Sequence, residues 1–178
     1  NKTIKKSPEA NVPVVRNLRS IKKIGGAGNV INNVNQIDKS SMLISRIGNN
    51  ENDKFIIKFL KNKKIKNKLF FEKKFTIGKK TRFFLNGVQK HRLDDEIIFK
   101  VKKDTEDKIF EYIKKNLNKF SLLIVSDYKK GLISRSLFKK VSKLFLKKKK
   151  YVITNPKQKD FTFYQNSTII VPNEKEFN

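Results

Sequence analysis

The chain has no cysteine and a single histidine, His91. The first absence excludes disulfides and thiolate metal sites. The second excludes a histidine metal cluster, and His91 alone cannot supply a Ser-His-Asp triad. No apolar run reaches the roughly 18 residues that a membrane helix needs, and no signal-peptide pattern opens the sequence. Arginine is scarce, at six of the 43 basic residues. Together these point to a soluble cytoplasmic protein without a membrane partner.

What the sequence does have is lysine. The formal net charge is +27, which invites a nucleic-acid reading. The lysines are scattered through every kind of segment, however, and asparagine, isoleucine and phenylalanine are abundant beside them. That pattern reads as compositional bias along the whole chain, not as a patch built for phosphates. A lysine-rich nucleic-acid-binding module stays as the alternative of a different class, and it would bind with steep salt dependence. Lys147–Lys150 reads as the solvated end of a helix, where cations suit the dipole. The 178 residues suffice for one domain or part of a larger one. A first residue that is not Met and a last residue inside what reads as a new helix both favour a part.

The stretch Ser121–Gly131, SLLIVSDYKKG, organises the reading. An unbroken apolar run of strand length suits a strand buried on both faces of a parallel sheet. Ligands of such sheets bind just beyond the carboxyl ends of the strands. Asp127, Tyr128, Lys129 and Lys130 stand at that end, with Gly131 as the turn. Tyr151–Thr154 leading to Asn155-Pro156-Lys157, and Thr168–Val171 leading to Pro172-Asn173, repeat the arrangement. Three polar strand ends make one rim.

Upstream, Val12–Asn17 and Ser20–Ile24 read as short, partly exposed strands. Gly25-Gly26-Ala27-Gly28-Asn29 opens a helix, and a glycine cluster there serves either a plain turn or a ligand approaching the backbone. It lacks the Lys-Ser/Thr ending of a P-loop. Met42–Ile47 reads as a strand, Asn50–Lys63 as a helix, and the region near Leu69–Phe71 as a strand. Arg82–Leu85 and Val88–Leu93 flank Asn86-Gly87, the preferred two-residue hairpin turn. Such a hairpin is either an ordinary surface element or a flap carrying Arg82 and Arg92, whose guanidinium groups suit bidentate phosphate recognition. Asp104–Lys119 reads as an amphipathic helix with Asp104 as N-cap, and Ser134 caps a further helix that buries Leu137, Val141, Leu144 and Phe145. The fold class is α/β, a sheet covered by helices with a small β flap. The flap strands fall at about 8–24 and 76–96, and the core at about 25–75 and 97–178.

Six blocks, SPEANVPVV (Ser7–Val15), GGAGNV (Gly25–Val30), TRFF with HRLDDE (Thr81–Glu96), SDYKKGL (Ser126–Leu132), NPK (Asn155–Lys157) and PNEKEF (Pro172–Phe177), occur in an order that resembles the ribokinase-like (PfkB) sugar kinases. The match covers essentially the whole chain, weakest over Lys61–Phe75, and within that family it lies closest to the bacterial D-glycero-D-manno-heptose-7-phosphate kinases. The resemblance implies phosphoryl transfer from ATP, with Mg²⁺, to the anomeric hydroxyl of a heptose phosphate. It implies that Gly25, Gly26 and Asn29 hold sugar hydroxyls, that Arg82 and Arg92 approach the sugar or its phosphate from the flap, and that Asp127 and Lys130 line the sugar end of the rim. Asn173 and Glu176 match the family's N-x-x-E, which serves the nucleotide phosphates and Mg²⁺; read alone, the pair makes a capping box. It also implies a homodimer through the flap. The family's G-D-x-x-x-D strand would precede Asn1 and its G-A-G-D motif, with the catalytic base, would follow Asn178, so no residue here is named as the base and this stretch alone is expected to be inactive. Asn155 stands where the branch has Asp, and Asn11 where it has Pro. A kinase of the same family acting on another sugar or a nucleoside is the nearest alternative.

Overall fold

Helix, strand and turn signals are mostly local in this chain, and the computed structural model, which describes residues 5–10, 13–14 and 19–177, forms most elements where those signals fall. β1 (Lys5–Lys6) pairs antiparallel with β2 (Pro13–Val14). The strand expected over Val12–Asn17 is thus seen at Pro13–Val14, its remaining residues lying outside the described ones. The strand expected over Ser20–Ile24 does not form. Lys22 and Lys23 are exposed and have no ladder partner among the described residues, while Ile24 is buried beside Gly28 and feeds the chain into α1 (Ala27–Ile37).

β3 (Met42–Ile47) is followed by α2 (Glu51–Asn62) and β4 (Lys66–Phe71). β3 and β4 run parallel, from Met42 opposite Lys66 to Ile47 opposite Phe71. The start of α2 is a complete capping box. Asn50 Oδ1 accepts the Asp53 N–H at 2.8 Å, and Asp53 Oδ2 accepts the Asn50 N–H at 2.9 Å. Asp53 is fully buried because its other oxygen takes the Gly48 N–H at 2.9 Å, tying the strand end to the helix start. Ile31, Leu60 and Ile65 form a small core under this unit.

β5 (Lys79–Leu85) and β6 (Val88–Asp95) form the expected hairpin, with Asn86 and Gly87 at φ 51° and 79°. Both central residues lie in the left-handed region, as a turn matching strand twist requires. Every residue of β6 is exposed.

α3 (Lys103–Lys115), β7 (Leu122–Ser126), α4 (Arg135–Lys147), β8 (Tyr151–Asn155), β9 (Ile169–Ile170) and the short α5 (Glu174–Phe177) complete the chain. β7, β8 and β9 form a parallel sheet. The N-cap of α3 is Lys102, not Asp104. Lys102 sits there because its N–H is taken by Glu72, and Asp104 stands inside the first turn, where its charge suits the dipole and reaches Lys108 at 2.6 Å. The helix also stops at Lys115, with a 3-10 turn over Leu117–Lys119. Ser134 caps α4 as expected, accepting the Leu137 N–H at 2.9 Å while donating to Glu106 of α3 at 2.6 Å. Lys150 is not a solvated lysine. Its ammonium crosses to the carbonyls of Leu117, at 2.7 Å, and Phe120, closing the end of the 3-10 turn.

The main core lies between α3, α4 and this sheet, with Ile113, Phe138, Val141, Phe145, Val152 and Tyr164 among its buried residues. β7 departs from the expected burial on both faces. Val125 is buried, but Leu122 and Ile124 are 42% and 40% exposed. The reason is topological: β7 pairs with β8 and β3 with β4, and among the described residues no ladder joins the two sheets, so Leu122 and Ile124 border a cavity of about 420 Å³ between them.

Candidate active site

The end of β7 is built by backbone conformation and one carboxylate. Lys129 and Gly131 take φ 54° and 80°, and these two left-handed residues turn the chain sharply after Asp127. A Cβ at Gly131 would also collide with the Phe99 carbonyl, so glycine is required there twice over. Asp127 is buried, its own N–H donating to the Asn155 carbonyl at 3.1 Å. Its Oδ1 accepts the Lys129 N–H at 2.7 Å and its Oδ2 accepts the Tyr164 hydroxyl at 2.6 Å. Asn155 holds the neighbouring strand ends together, its side-chain Nδ2 donating to the Val171 carbonyl at 3.0 Å, a bond that an aspartate could not make.

Across from this rim stands the hairpin, and between them opens a groove of about 2280 Å³. Gly25, Gly26, Asn29, Arg82, Arg92, Asp127 and Lys130 all line it, so residues drawn from positions 25 to 130 share one space. Tyr128 closes one wall, its ring packed over the Gly26 turn. The cations of the groove are mostly engaged. Arg92 grips Asp94 through Nε at 2.7 Å and Nη2 at 2.6 Å, holding that carboxyl far below its ordinary range. Lys80 bridges Asp94 at 2.9 Å and Glu96 at 3.1 Å, and those bonds raise its own pKa. Glu96 reaches Lys130 at 2.6 Å, and this bond above all lowers the Glu96 pKa. Glu96 is thus shared between the hairpin and the rim. Arg82 makes no ion pair among the described residues.

Beneath the groove lies Arg46, on β3 and buried. It donates to Glu72 at 3.1 Å and to the carbonyls of Lys130, at 2.9 Å, and Phe99. Its guanidinium carbon sits 4.1 Å from the centre of the Phe75 ring. Burial lowers its pKa, and the Glu72 charge opposes that shift. Arg46 therefore sets the height of the Lys130 backbone. No local motif marks Arg46, Glu72, Glu96 or Tyr164 as a site residue. A lone arginine inside the apolar strand MLISRI was the one available signal, since a charge in a buried strand needs a partner.

Asn173 and Glu176 do not line the groove. They form the reciprocal box that opens α5. Asn173 Oδ1 accepts the Glu176 N–H and Glu176 Oε2 accepts the Asn173 N–H, both at 3.0 Å. Glu176 Oε1 meets the Lys157 ammonium at 2.8 Å, and that bond holds its carboxyl below the ordinary value. No group of three or more His, Cys, Asp or Glu side chains placed to hold a metal occurs among the described residues. Each Glu176 oxygen holds one internal donor and keeps one lone-pair direction.

No protein-family model matches the sequence. The chain is 32% identical over 171 residues to the bifunctional protein HldE of Campylobacter fetus, a match covering 96% of this chain and 37% of that protein. It is 34% identical to the bifunctional protein HldE of Aliarcobacter butzleri, covering 96% and 36%. The chain thus spans little more than a third of the length of the curated relatives it matches. Among solved structures it resembles the tetrameric inhibited form of phosphofructokinase-2 from Escherichia coli, with TM-score 0.67 and 14% identity over 85% of this chain and 50% of that one. A second structure, from Staphylococcus aureus, matches with TM-score 0.65 and 17% identity over 93% and 52%. The α/β fold expected from the sequence is the fold these kinases share, and the HldE-type resemblance extends along nearly the whole chain.

Proposed function

We propose that this chain carries the acceptor-sugar side of a kinase site that phosphorylates D-glycero-D-manno-heptose 7-phosphate at its anomeric hydroxyl, with ATP as donor, in the cytoplasmic supply of ADP-heptose. The observation that carries the reading is the gathering of Gly25, Gly26, Asn29, Arg82, Arg92, Asp127 and Lys130 round one groove, in a chain similar along 96% of its length to HldE proteins.

The roles follow from the donors and acceptors. The Gly26 and Ala27 N–H groups at the start of α1 have no partner among the described residues and are open to a hydroxyl or phosphate, whereas the Gly28 and Asn29 N–H groups already go to the Gly25 and Gly26 carbonyls. Asp127 offers acceptor lone pairs to sugar hydroxyls. Arg82 supplies a planar fork for the 7-phosphate. Lys130 and Lys80 share Glu96, so a phosphate entering between them competes for cations already oriented. The hairpin β5–β6 acts as the flap, closing over the sugar and excluding water, and its exposed apolar side offers a surface for a homodimer. Phosphoryl transfer joins the sugar oxygen to the γ-phosphorus as the bond to ADP breaks; it depends on positioning and charge stabilisation. No described residue is assigned as the base. Magnesium is proposed as the counter-ion of the nucleotide phosphates, and Glu176, oriented by Lys157, would hold it or its waters through its remaining lone pairs.

The fold neighbours favour one second reading, a kinase for a different sugar phosphate. The test is ADP release by the full-length protein with ATP, Mg²⁺ and heptose 7-phosphate, against fructose 6-phosphate and ribose. Release with the heptose alone supports the proposal. Release with fructose 6-phosphate alone moves the assignment to the second reading, and no release with any sugar removes the kinase.

A further inference from the structure

Asp127 is held by a side chain that nothing in the motif pattern points to. Tyr164 ends a 3-10 turn over Phe161–Tyr164 and is fully buried. Its oxygen accepts the backbone N–H groups of Lys157 and Gln158, each at 3.2 Å. Those two donors fill its lone pairs, so its one hydrogen goes to Asp127 Oδ2 at 2.6 Å. With Lys129 on Oδ1, each carboxylate oxygen has one strong internal donor and one remaining lone-pair direction; Gln158 Nε2 stands farther off, at 3.5 Å. Beyond Lys157 the chain of contacts continues through its ammonium to Glu176 and from there to Asn173. One phenol therefore joins the end of β7 to the turn after β8.

We propose that Tyr164 is a positioning residue: it fixes the Asp127 carboxylate so that its free lone pairs face the acceptor sugar, and it locks the Lys157–Gln158 turn in register with that carboxylate. The inference rests on the kinase reading. Burial first, and the bond to Asp127 second, push the phenol up to about 12, so the hydroxyl stays a donor at neutral pH. The ring itself packs on Phe138 and Phe163, at centroid distances of 5.4 and 4.8 Å. Tyr164→Phe keeps those contacts and removes only the hydroxyl.

The test is steady-state kinetics of the full-length protein with ATP and heptose 7-phosphate, with fructose 6-phosphate in parallel. Tyr164→Phe is expected to lower kcat/KM for the sugar phosphate by about 10- to 100-fold, with KM for ATP changed less than about threefold. Val141→Ala, which removes core volume away from the groove, serves as the control: it melts earlier and keeps its kinetic constants. Tyr164→Phe kinetics equal to those of the unaltered protein would overturn the inference, and so would an equal kinetic loss in Val141→Ala, which would make the effect one of stability alone. An unaltered protein that turns over neither sugar phosphate overturns the kinase reading and this inference with it, a result distinct from either of the others.

Discussion

The two walls of the groove are made in opposite ways. The rim at the end of β7 is backed by buried groups: Val152, Thr154 and Tyr164 are fully buried and Asp127 is 3% exposed. The hairpin facing it buries no residue at all, and Phe83, Phe84 and Leu93 are half or more exposed. Its inner order comes from Lys80, Arg92, Asp94 and Glu96, exposed or half-exposed charges whose pairing water and salt weaken. A wall held by packing keeps its geometry before a ligand arrives. A wall held by surface charge can exchange its partners for those of a ligand. Under the proposed function, orientation falls to the rim and closure to the hairpin.

The largest effects should fall on the packed core that carries the rim. Phe145→Ala, at a residue 1% exposed, is expected to lower stability by about 3–5 kcal/mol in urea unfolding. Phe84→Ala, at 61% exposure on the hairpin, should change it by no more than about 0.5 kcal/mol. The reverse order would erase the contrast. The joint between the walls comes next. Arg46→Ala leaves Glu72 buried and unpaired and is expected to lower stability by about 3 kcal/mol, whereas the double change Arg46→Met with Glu72→Leu should recover most of it. A double variant as unstable as the single one would show that the ion pair itself, not its breaking, matters.

Much of this was legible in local sequence. The strand MLISRI, the Asn50 helix start, the Asn86-Gly87 hairpin and the Ser134 cap each depend on neighbours within a few residues, and each forms where expected. The Ser20–Ile24 strand does not form, because alternation cannot supply a ladder partner. Leu122 and Ile124 are half open for a similar reason, since an apolar run does not say which strand lies beside it. At the site, Asp127 stood out as a strand end, but Tyr164 lies 37 residues away and Glu72 lies 26 from Arg46. Pairs so distant are set by topology, which local periodicity does not encode.

A smaller effect is expected at the turn between the walls. Gly131→Ala forces a side chain into φ 80° and against the Phe99 carbonyl, and should lower stability by about 1–3 kcal/mol, visible as a lower urea midpoint. The smallest effect is one of pH. Lys130 and, after the burial that opposes it, Lys80 hold the Glu96 carboxyl below its ordinary 4.5, so its contribution is complete above that value and is lost as pH falls through the lowered one. Acidification below 4.5 should therefore speed hydrogen exchange in β5 and β6, after correction for the intrinsic rate, while β7 and β8 stay protected. Equal loosening of both walls would mean that the rim, too, is held by charge.

The most direct measurement is hydrogen exchange of the full-length protein with and without heptose 7-phosphate. If the rim orients and the hairpin closes, the sugar phosphate slows exchange along β5 and β6 and leaves the already protected amides of β7 and β8 unchanged. Exchange that is unaltered in the hairpin, at a concentration saturating for turnover, would contradict the assignment of this groove as the sugar site.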